Sequence, residues 1–379
     1  MISYLLPTHN RSRALWQTLA AIGTLPGDAH EAVGGAEVIV VDNASRPAVT
    51  LPSQLDNGLP LRCVRLDANH GAAARNHGAA AAQGEWLVML DDDSYPLDTG
   101  HLQVLTEAPD DVAAIGAEIF LPDGTREAGG LPEVIVGCGA AIRRDAFLEV
   151  GGYDASFHYY AEEYDLCAKL LIAGMRVRHD LRFRVRHTKV PDRRDMNVII
   201  RNLVRNNGWV MQRYAPRHRR EQALCEVIAR YGTIAMKENA AWGYAQGMCE
   251  LKRTQDDQPS QPMSEALFDR FIGLAHARTE LSRRPELGGR GRGRVVIVDE
   301  GKHADAVRQA LREIGTRFAA RTEDADVLVI GTLSPGPMLD ARDHRRIGPR
   351  PVVIPWRPEG MHEPAPSLLG PPPVLREAI

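Results

Sequence analysis

The sequence lacks features that identify several large classes of protein. Its net charge is only −3 over 379 residues, so it has no basic excess with which to neutralise nucleic-acid phosphates. Its five cysteines are scattered and form no C-x-x-C pair, which favours small buried side chains in a reducing compartment. We therefore expect a globular protein with no nucleic-acid partner.

Long apolar runs are missing as well. No stretch approaches the roughly 18 residues that a membrane-spanning helix needs. The first residues, MISYLLPTHN, have neither the basic flank nor the long apolar core of a signal peptide. No G-x-G-x-x-G follows the first strand, and the glycine-rich GGRGRGR precedes a strand instead, which argues against a dehydrogenase. We expect a cytoplasmic protein without a transmembrane segment.

The sequence does contain a regular alternation of apolar and amphipathic segments. Strands are predicted at residues 2–7, 37–42, 61–69 and 85–90, and helices at 10–23 and 71–84. Strand–helix–strand units of this length indicate an α/β fold with a mainly parallel sheet and right-handed crossovers. Ligands of such sheets bind beyond the carboxyl ends of the strands. Asn10, Asp42, Asn69 and the aspartates at 91–93 each follow a predicted strand and are expected to share that rim.

The fourth strand runs directly into three adjacent aspartates, in LVMLDDDSYP. Adjacent carboxylates repel one another, so the segment needs an explanation. One is a solvated turn, because Asp, Ser and Pro are all turn residues. The other is a cation held by Asp91 and Asp93, which project to the same side, about 7 Å apart, if the strand continues. Asp92 would then point elsewhere.

The rest of the chain suggests three segments. A helix at 160–174 has an acidic first turn, residues 195–253 are helical with a break at Pro216, and one further helix is predicted at 263–283. A Gly- and Arg-rich linker at 283–294 precedes a new strand–helix–strand unit. We predict domains at 1–215, 216–288 and 289–379: a main α/β domain, a helical extension and a small α/β domain. The last shows no catalytic cluster, and its role is open between acceptor recognition, homo-oligomer formation and contact with a partner enzyme.

Five motifs in order resemble those of glycosyltransferase family 2, whose catalytic domain has the GT-A fold. They are LPTHNR, VIVVDNAS, NHGAAARNHGAAAAQGEWLVMLDDDSYP, VGGYDASFHYYAEEYDLCAKLLIAG and VRHTK. The resemblance covers about residues 1–215, and RNLVRNNGWVMQRYAP is similar to the helix that follows the catalytic domain in rhamnosyltransferase-like members. It implies an inverting transfer from a UDP- or dTDP-sugar, with Mg²⁺ or Mn²⁺ bridging the donor phosphates.

The resemblance assigns roles to residues of the rim. Asp93 is implied as the metal ligand, Asp91 as a contact of the ribose or of the metal's water shell, and His187 as a further metal or diphosphate contact. Asp42 would accept a hydrogen bond from the uracil or thymine ring. The residues expected to contact the nucleotide sugar are Pro7, Thr8, Asn10, Arg11, Asp42, Asn69, Gly71, Arg75, Asp91 and Asp92.

Each of these residues also has a purely structural interpretation. Asn10 suits a helix N-cap and Asp42 a turn cap. Arg75 would need no explanation as an exposed helical residue, and a lone histidine at a strand end, such as His187, is often structural.

Direct displacement at the anomeric carbon needs one base to take the proton of the acceptor hydroxyl. The family pattern is usually Glu-Asp with the second residue as base, which corresponds to Glu163; the Glu-for-Asp change leaves Asp165 as the alternative. An acidic first turn is also favoured by the helix macrodipole alone, so Glu162, Glu163 and Asp165 have a structural interpretation too.

Two other functions stay open at this level. A GT-A-like nucleotidyltransferase would carry a Gly-rich basic loop after the first strand, and PTHNRSRAL has no glycine. A catalytically inactive module that binds sugar nucleotides or glycans is the second alternative. The acceptor, whether a glycan, a lipid-linked sugar or a natural product, is not determined, and the basic segment 213–220 suits either an anionic lipid surface or a solvated helix face.

Overall fold

In the computed structural model of the protein, which describes residues 1–189, 195–287, 293–346 and 348–361, the largest element is an eight-stranded sheet in the first half of the chain. Its strands are β1 (Ile2–Thr8), β2 (Ala36–Asp42), β3 (Leu61–Arg65), β4 (Trp86–Met89), β5 (Ser94–Pro96), β6 (Val112–Phe120), β7 (Ala140–Arg143) and β8 (Arg176–His187). Their order is β3-β2-β1-β4-β7-β6-β8-β5.

The sheet is mainly parallel around the predicted rim. β1 pairs in parallel with β2 and β4, β2 with β3, and β6 with β8, whereas β7 and β5 run antiparallel to their neighbours. Thr8 lies opposite Asp42 in the register of β1 and β2. The carboxyl ends of β1, β2 and β4 therefore meet at one edge, as the sequence predicted, and the α/β fold class with a mainly parallel sheet is confirmed.

Helices cover both faces of the sheet. The helices of this part are α1 (Ser12–Gly23), α2 (Gly27–Glu31), α3 (Ala74–Ala81), α4 (Gly100–Thr106), α5 (Arg144–Glu149) and α6 (Glu162–Ile172). Successive strand residues point to opposite sides, so Leu5 belongs to the core cluster that includes side chains of α3 and α6, and Leu6 to the one that includes side chains of α1 and α4. Burial on both faces explains why these strands are continuous apolar runs.

Five further helices follow the sheet. They are α7 (Met196–Tyr214), α8 (Arg220–Lys237), α9 (Ala241–Thr254), α10 (Glu265–Phe271) and α11 (Leu274–Ser282). α7 packs closely against α9, where a Cβ on Gly243 would lie 2.1 Å from the carbonyl oxygen of Asn197. The single helix predicted at 263–283 is wrong: the chain breaks at Gly273, whose φ of +82° a helix does not accommodate.

A second, three-stranded parallel sheet lies at the end of the described chain, in the order β11-β10-β9. Its elements are β9 (Val295–Val298), α12 (Ala304–Glu313), β10 (Val327–Ile330), α13 (Pro335–Arg345) and β11 (Val352–Val353). Arg126, which follows β6 of the large sheet, forms an ion pair with Asp340 of α13 at 2.7 Å. The hydroxyl of Ser334 donates a hydrogen bond to the carbonyl oxygen of Gly129 and accepts one from its N–H group. The small unit thus packs directly on the larger one.

Part of the predicted linker (288–292) and the Pro-rich end of the chain (362–379) lie outside the described residues. Among the residues that are described, no helix has the length and apolar character needed to cross a membrane.

Candidate active site

The three aspartates after β4, here called the aspartate cluster (Asp91, Asp92 and Asp93), point to different partners. Asp92 is buried and accepts a hydrogen bond from Thr8 Oγ1 at 2.8 Å. One guanidinium nitrogen of Arg11 pairs with Asp92. The other lies 2.6 Å from Oδ2 of Asp93. The strand therefore does not continue through the cluster, and positively charged and hydroxyl partners, with Arg11 shared by Asp92 and Asp93, relieve the like-charge repulsion.

Arg75 is the partner of Asp91. Its guanidinium pairs with that carboxylate and also donates to the carbonyl oxygen of Leu90 at 2.9 Å. Arg75 is only 4% exposed, so the interpretation as an ordinary surface residue of a helix is wrong. A buried arginine that holds the end of β4 has a defined place at the rim.

Local charges set the protonation of the cluster. Burial raises the pKa of Asp92 to about 7, although Arg11 and Thr8 oppose the increase. Burial would also raise the pKa of Asp93, but hydrogen bonds from His187 and Arg11 hold it well below its usual range. These contacts favour the ionised form of Asp93.

His187 ends β8 and lies at the centre of a polar cluster. Its Nε2 is 3.4 Å from Asp93 Oδ1, and its Nδ1 is 2.9 Å from Glu127 Oε2. Burial lowers the pKa of His187, but Asp93, Cys138 and Glu127 outweigh it and raise the pKa to about 12.

One atom each of Asp91, Cys138 and His187 lies within 4.8 Å of the other two, a spacing that suits a metal ion. Sequence reasoning missed Cys138 and Glu127. The cysteines were expected to be small buried side chains, which is correct for Cys138 and Cys167 and wrong for the exposed Cys63, Cys225 and Cys249. The sequence held no signal that would place Cys138 or Glu127 beside His187.

Glu163 and Asp165 occupy different environments on α6. Glu163 faces the cavity, and its Oε1 accepts a hydrogen bond from the backbone N–H of Gly137 at 3.0 Å. Burial raises the pKa of Glu163, and burial together with the charge of Glu163 raises that of Glu162 further. Asp165 is fully buried elsewhere, where Arg213 and Tyr214 bind its Oδ1 at 2.8 and 2.7 Å.

The loop before α6 has strained backbone. His158, Tyr160 and Ala161 have φ values of 60°, 73° and 67°, in the left-handed region that non-glycine residues rarely adopt. The fully buried Asn206 of α7 holds this loop, because its Nδ2 lies 2.7–3.0 Å from the carbonyl oxygens of residues 157, 159 and 160. Asn206 thus fixes the strained backbone of the residues that directly precede Glu162 and Glu163.

On the β2 and β3 side of the rim, the predicted residues already have partners within the chain. Asp42 is fully buried, accepts from the backbone N–H groups of Ser45 and Val49 at 2.9 Å each, and pairs with Arg65. Asn69 Oδ1 accepts from Asn43 Nδ2 at 2.9 Å.

Asn10 does not cap α1. That helix has Arg11 as its N-cap without a side-chain hydrogen bond, and Asn10 Oδ1 accepts instead from the backbone N–H of Arg46 at 2.7 Å. The N-cap interpretation of Asn10 is therefore wrong. Gly71 has a φ of +60°, and a Cβ there would lie 2.2 Å from the carbonyl oxygen of His158.

A cavity of about 910 Å³ opens at the rim and brings the three segments of the chain together. The predicted residues that line it are Arg11, Arg75, Asp91, Asp93, Glu163 and His187. Those that do not line it are Pro7, Thr8, Asn10, Asp42, Asn69, Gly71, Asp92 and Asp165. Its other walls include Tyr231 of α8 and Lys302 of the small unit, neither of which the sequence suggested.

Residues 3–118 match the family model described as "Glycosyl transferase family 2". An uncharacterized glycosyltransferase of Haemophilus influenzae is 26% identical over 199 residues, which is 45% of this chain and 62% of that protein. The pre-mycofactocin glycosyltransferase of Mycobacterium tuberculosis (strain CDC 1551 / Oshkosh) is 33% identical over 174 residues, which is 38% of this chain and 36% of that protein. The matched part therefore spans less than two thirds of either relative.

Among solved structures, a mannosyltransferase from Pyrobaculum calidifontis in complex with GDP-Man and Mn²⁺ is similar with a TM-score of 0.44 and 16% identity. The match covers 72% of this chain and 79% of that one.

Proposed function

We propose that this chain, whose residues 3–118 match the glycosyltransferase family 2 model, transfers a sugar from a UDP- or dTDP-linked donor to an acceptor hydroxyl, with inversion. One observation carries the proposal: the ionised Asp93, the neighbouring His187 and the carboxylate of Glu163 line a single cavity. A single-displacement reaction needs a charge-stabilising site and a base that open onto the same cavity.

The residues at the aspartate cluster fit a divalent cation. Asp91 and Asp93 supply oxygen ligands that Mg²⁺ or Mn²⁺ accept, and the donor's phosphates would complete the shell. His187 would add an imidazole nitrogen after releasing the proton that Asp93 and Glu127 stabilise. Cys138 adds a sulfur atom, a softer ligand that these two ions do not favour. When bound, the ion would neutralise negative charge on the departing nucleotide diphosphate.

Glu163 is proposed as the base. Its carboxylate faces the cavity, is held by the N–H of Gly137, and has a pKa raised by burial, which makes it a better proton acceptor than a solvated glutamate. It would take the proton of the acceptor hydroxyl as that oxygen bonds to the anomeric carbon and the nucleotide diphosphate leaves. Asp165 is unsuited to this role because Arg213 and Tyr214 already occupy its carboxylate.

The two arginines of the rim are proposed to contact the donor's phosphates. Arg11 and Arg75 line the cavity and present guanidinium groups, which bind phosphate oxygens in pairs. In this structure the aspartate cluster holds both guanidinium groups in place, so they are already positioned at the rim where a diphosphate would bind.

A binding and turnover experiment tests the proposal. UDP, dTDP and GDP are titrated by calorimetry with and without Mn²⁺, and the hydrolysis of the matching donor sugar is then followed. We expect a uridine or thymidine diphosphate to bind only with the metal. Binding of all three nucleotides without metal contradicts the proposed function. Failure of all three nucleotides to bind, with or without Mn²⁺, contradicts it as well.

A further inference from the structure

The cavity contains a second cluster of charge, built by segments outside the part of the chain that the family model matches. Lys302 follows β9, the first strand of the small unit, and Arg230 lies on α8. Both line the 910 Å³ cavity, and both also line an adjoining cavity of about 640 Å³. We call Arg230 and Lys302 the basic pair.

Lys302 is directed at α6, beside the proposed base. Its ammonium lies 4.2 Å from the ring centre of Tyr164 and donates a hydrogen bond to the phenol oxygen of that residue. Tyr164 directly follows Glu163, whose carboxylate lines the same cavity. A group held by Lys302 would therefore lie next to the residue that is proposed to take the acceptor's proton.

The basic pair is not neutralised by the part of the chain that the structure describes. No carboxylate of the described residues forms an ion pair with Lys302 or Arg230, and Arg230 Nε is buried there without a hydrogen-bond partner. The acids next to Lys302 are engaged elsewhere: Glu300 binds Arg308 at 2.7 Å, and Asp299 binds Arg345 at 2.9 Å.

Charges of both signs act on Lys302, and the positive one has the larger effect. Burial and then the charge of Arg230 lower the pKa of Lys302 to about 7, and Glu163 opposes this only in part. His303, its neighbour, has a pKa lowered to about 3 by burial and by the same two cations, so it adds no charge near neutral pH. Tyr231 also faces this wall and is neutral in this range because burial raises its pKa.

Two cations that converge in a cavity without an ion-pair partner among the described residues are costly unless a ligand supplies further negative charge. We propose that the basic pair binds an oxyanion of the acceptor, a phosphate or a carboxylate, and so selects an acidic acceptor and orients its hydroxyl toward Glu163. The inference rests on the proposed function. The N-terminus of α12, which begins at Ala304 two residues after Lys302, would add to the attraction.

Sulfate is the probe, because its charge is constant between pH 5 and 9 and EDTA can be added to keep metal out of the aspartate cluster. It is titrated by calorimetry into the whole protein and into Lys302→Met and Arg230→Met. We expect affinity to fall at least tenfold in each variant and to change less than about threefold in Lys302→Arg. Lys252→Met, which alters an exposed lysine of α9, is the matched control and should bind as the unaltered protein does.

The pH dependence separates a binding role from a structural one. Since the lysine must be protonated to attract an anion, sulfate affinity should fall as pH rises from 6 to 8.5 in the unaltered protein and stay flat in Lys302→Met. Thermal unfolding shows that each variant is folded. Equal sulfate affinity in all of the folded proteins, or none in any, overturns the inference.

Competition distinguishes the two kinds of oxyanion. Displacement of sulfate by glucuronate supports a carboxylate acceptor, displacement by glucose 6-phosphate supports a phosphorylated one, and displacement by neither overturns the acceptor role. UDP with Mn²⁺ is titrated in parallel. UDP binding without sulfate binding removes this inference alone, whereas sulfate binding without any nucleotide binding removes the proposed function and, with it, the acceptor role.

Discussion

The aspartate cluster and the basic pair are two charged regions of one cavity, and they differ in how repulsion between like charges is relieved. The aspartate cluster follows β4 of the large sheet, and Lys302 follows β9 of the small one, so both lie beyond the carboxyl end of a parallel strand. Arg11, Arg75 and His187 bind the aspartates, whereas no described carboxylate pairs with Lys302 or Arg230.

That difference indicates two kinds of site. A cluster of carboxylates that is already paired with arginines is pre-organised, and a ligand there exchanges one set of partners for another. A basic pair that has no ion-pair partner among the described residues depends on the ligand for its neutralisation, so its occupancy depends strongly on whether the ligand is charged. We therefore expect donor binding and acceptor selection to respond to different mutations.

The largest effect on the transfer rate is expected from removing one charge of the aspartate cluster. Asp93→Asn keeps the shape of the side chain and removes the charge that His187 and Arg11 face. Loss of several kcal/mol of charge stabilisation corresponds to a transfer rate lower by roughly a thousandfold or more, at ~1.4 kcal/mol per tenfold. The rate is measured with saturating donor and Mn²⁺.

The control is Asp67→Asn, which alters an exposed aspartate away from the cavity and should keep the full rate. Sulfate affinity at the basic pair should be similar in both variants. Full activity of Asp93→Asn, or of the unaltered protein in excess EDTA, would contradict the proposal that the aspartate cluster holds a divalent cation.

A smaller effect on rate is expected at the base. Glu163→Gln removes the proton acceptor but can still accept the hydrogen bond from Gly137, so nucleotide affinity should hardly change while transfer falls at least ~10²-fold. Single-turnover kinetics measures the loss.

Asp165→Asn, two residues along α6, is the matched comparison. It weakens the charged contacts to Arg213 and Lys169 and should lower the free energy of unfolding, by about 1–3 kcal/mol for a buried charged hydrogen bond, more than it lowers the rate. If Asp165→Asn abolishes transfer while Glu163→Gln does not, the base has been assigned to the wrong residue.

Several features of the fold and of the cavity could be predicted from the sequence. The strands, the rim and the aspartate cluster were predictable because apolar periodicity defines parallel strands and topology brings their carboxyl ends together. Asp91 and Asp93 were correctly expected at the rim, because they directly follow a buried strand of the predicted sheet. The break at Gly273 was not, because a single glycine inside a helical pattern is usually tolerated.

The residues that sequence reasoning missed depend on tertiary contacts between distant segments. Cys138 and Glu127 meet His187 from 49 and 60 residues away, and single residues of these types carry no pattern. Arg230 and Lys302 converge only because the small unit packs against the large one. Arg75 was underestimated for a similar reason, since a helical period alone did not show that its guanidinium lies buried under the end of β4.

The smallest expected effect, about tenfold per pH unit, separates the two regions by the sign of their pH dependence. Glu163 must be ionised to accept a proton, and burial raises its pKa above the ordinary value of 4.5, so transfer should increase with pH until that group is fully ionised. Lys302 must be protonated to attract an anion, and its pKa of about 7 means that this attraction is lost as pH rises above neutrality. With an acidic acceptor at low concentration, the rate should therefore rise and then fall; with a neutral acceptor only the rise should remain. Lys302→Met should remove the falling limb and leave the rising one. A falling limb that persists in Lys302→Met would assign it to another group and separate acceptor selection from the basic pair.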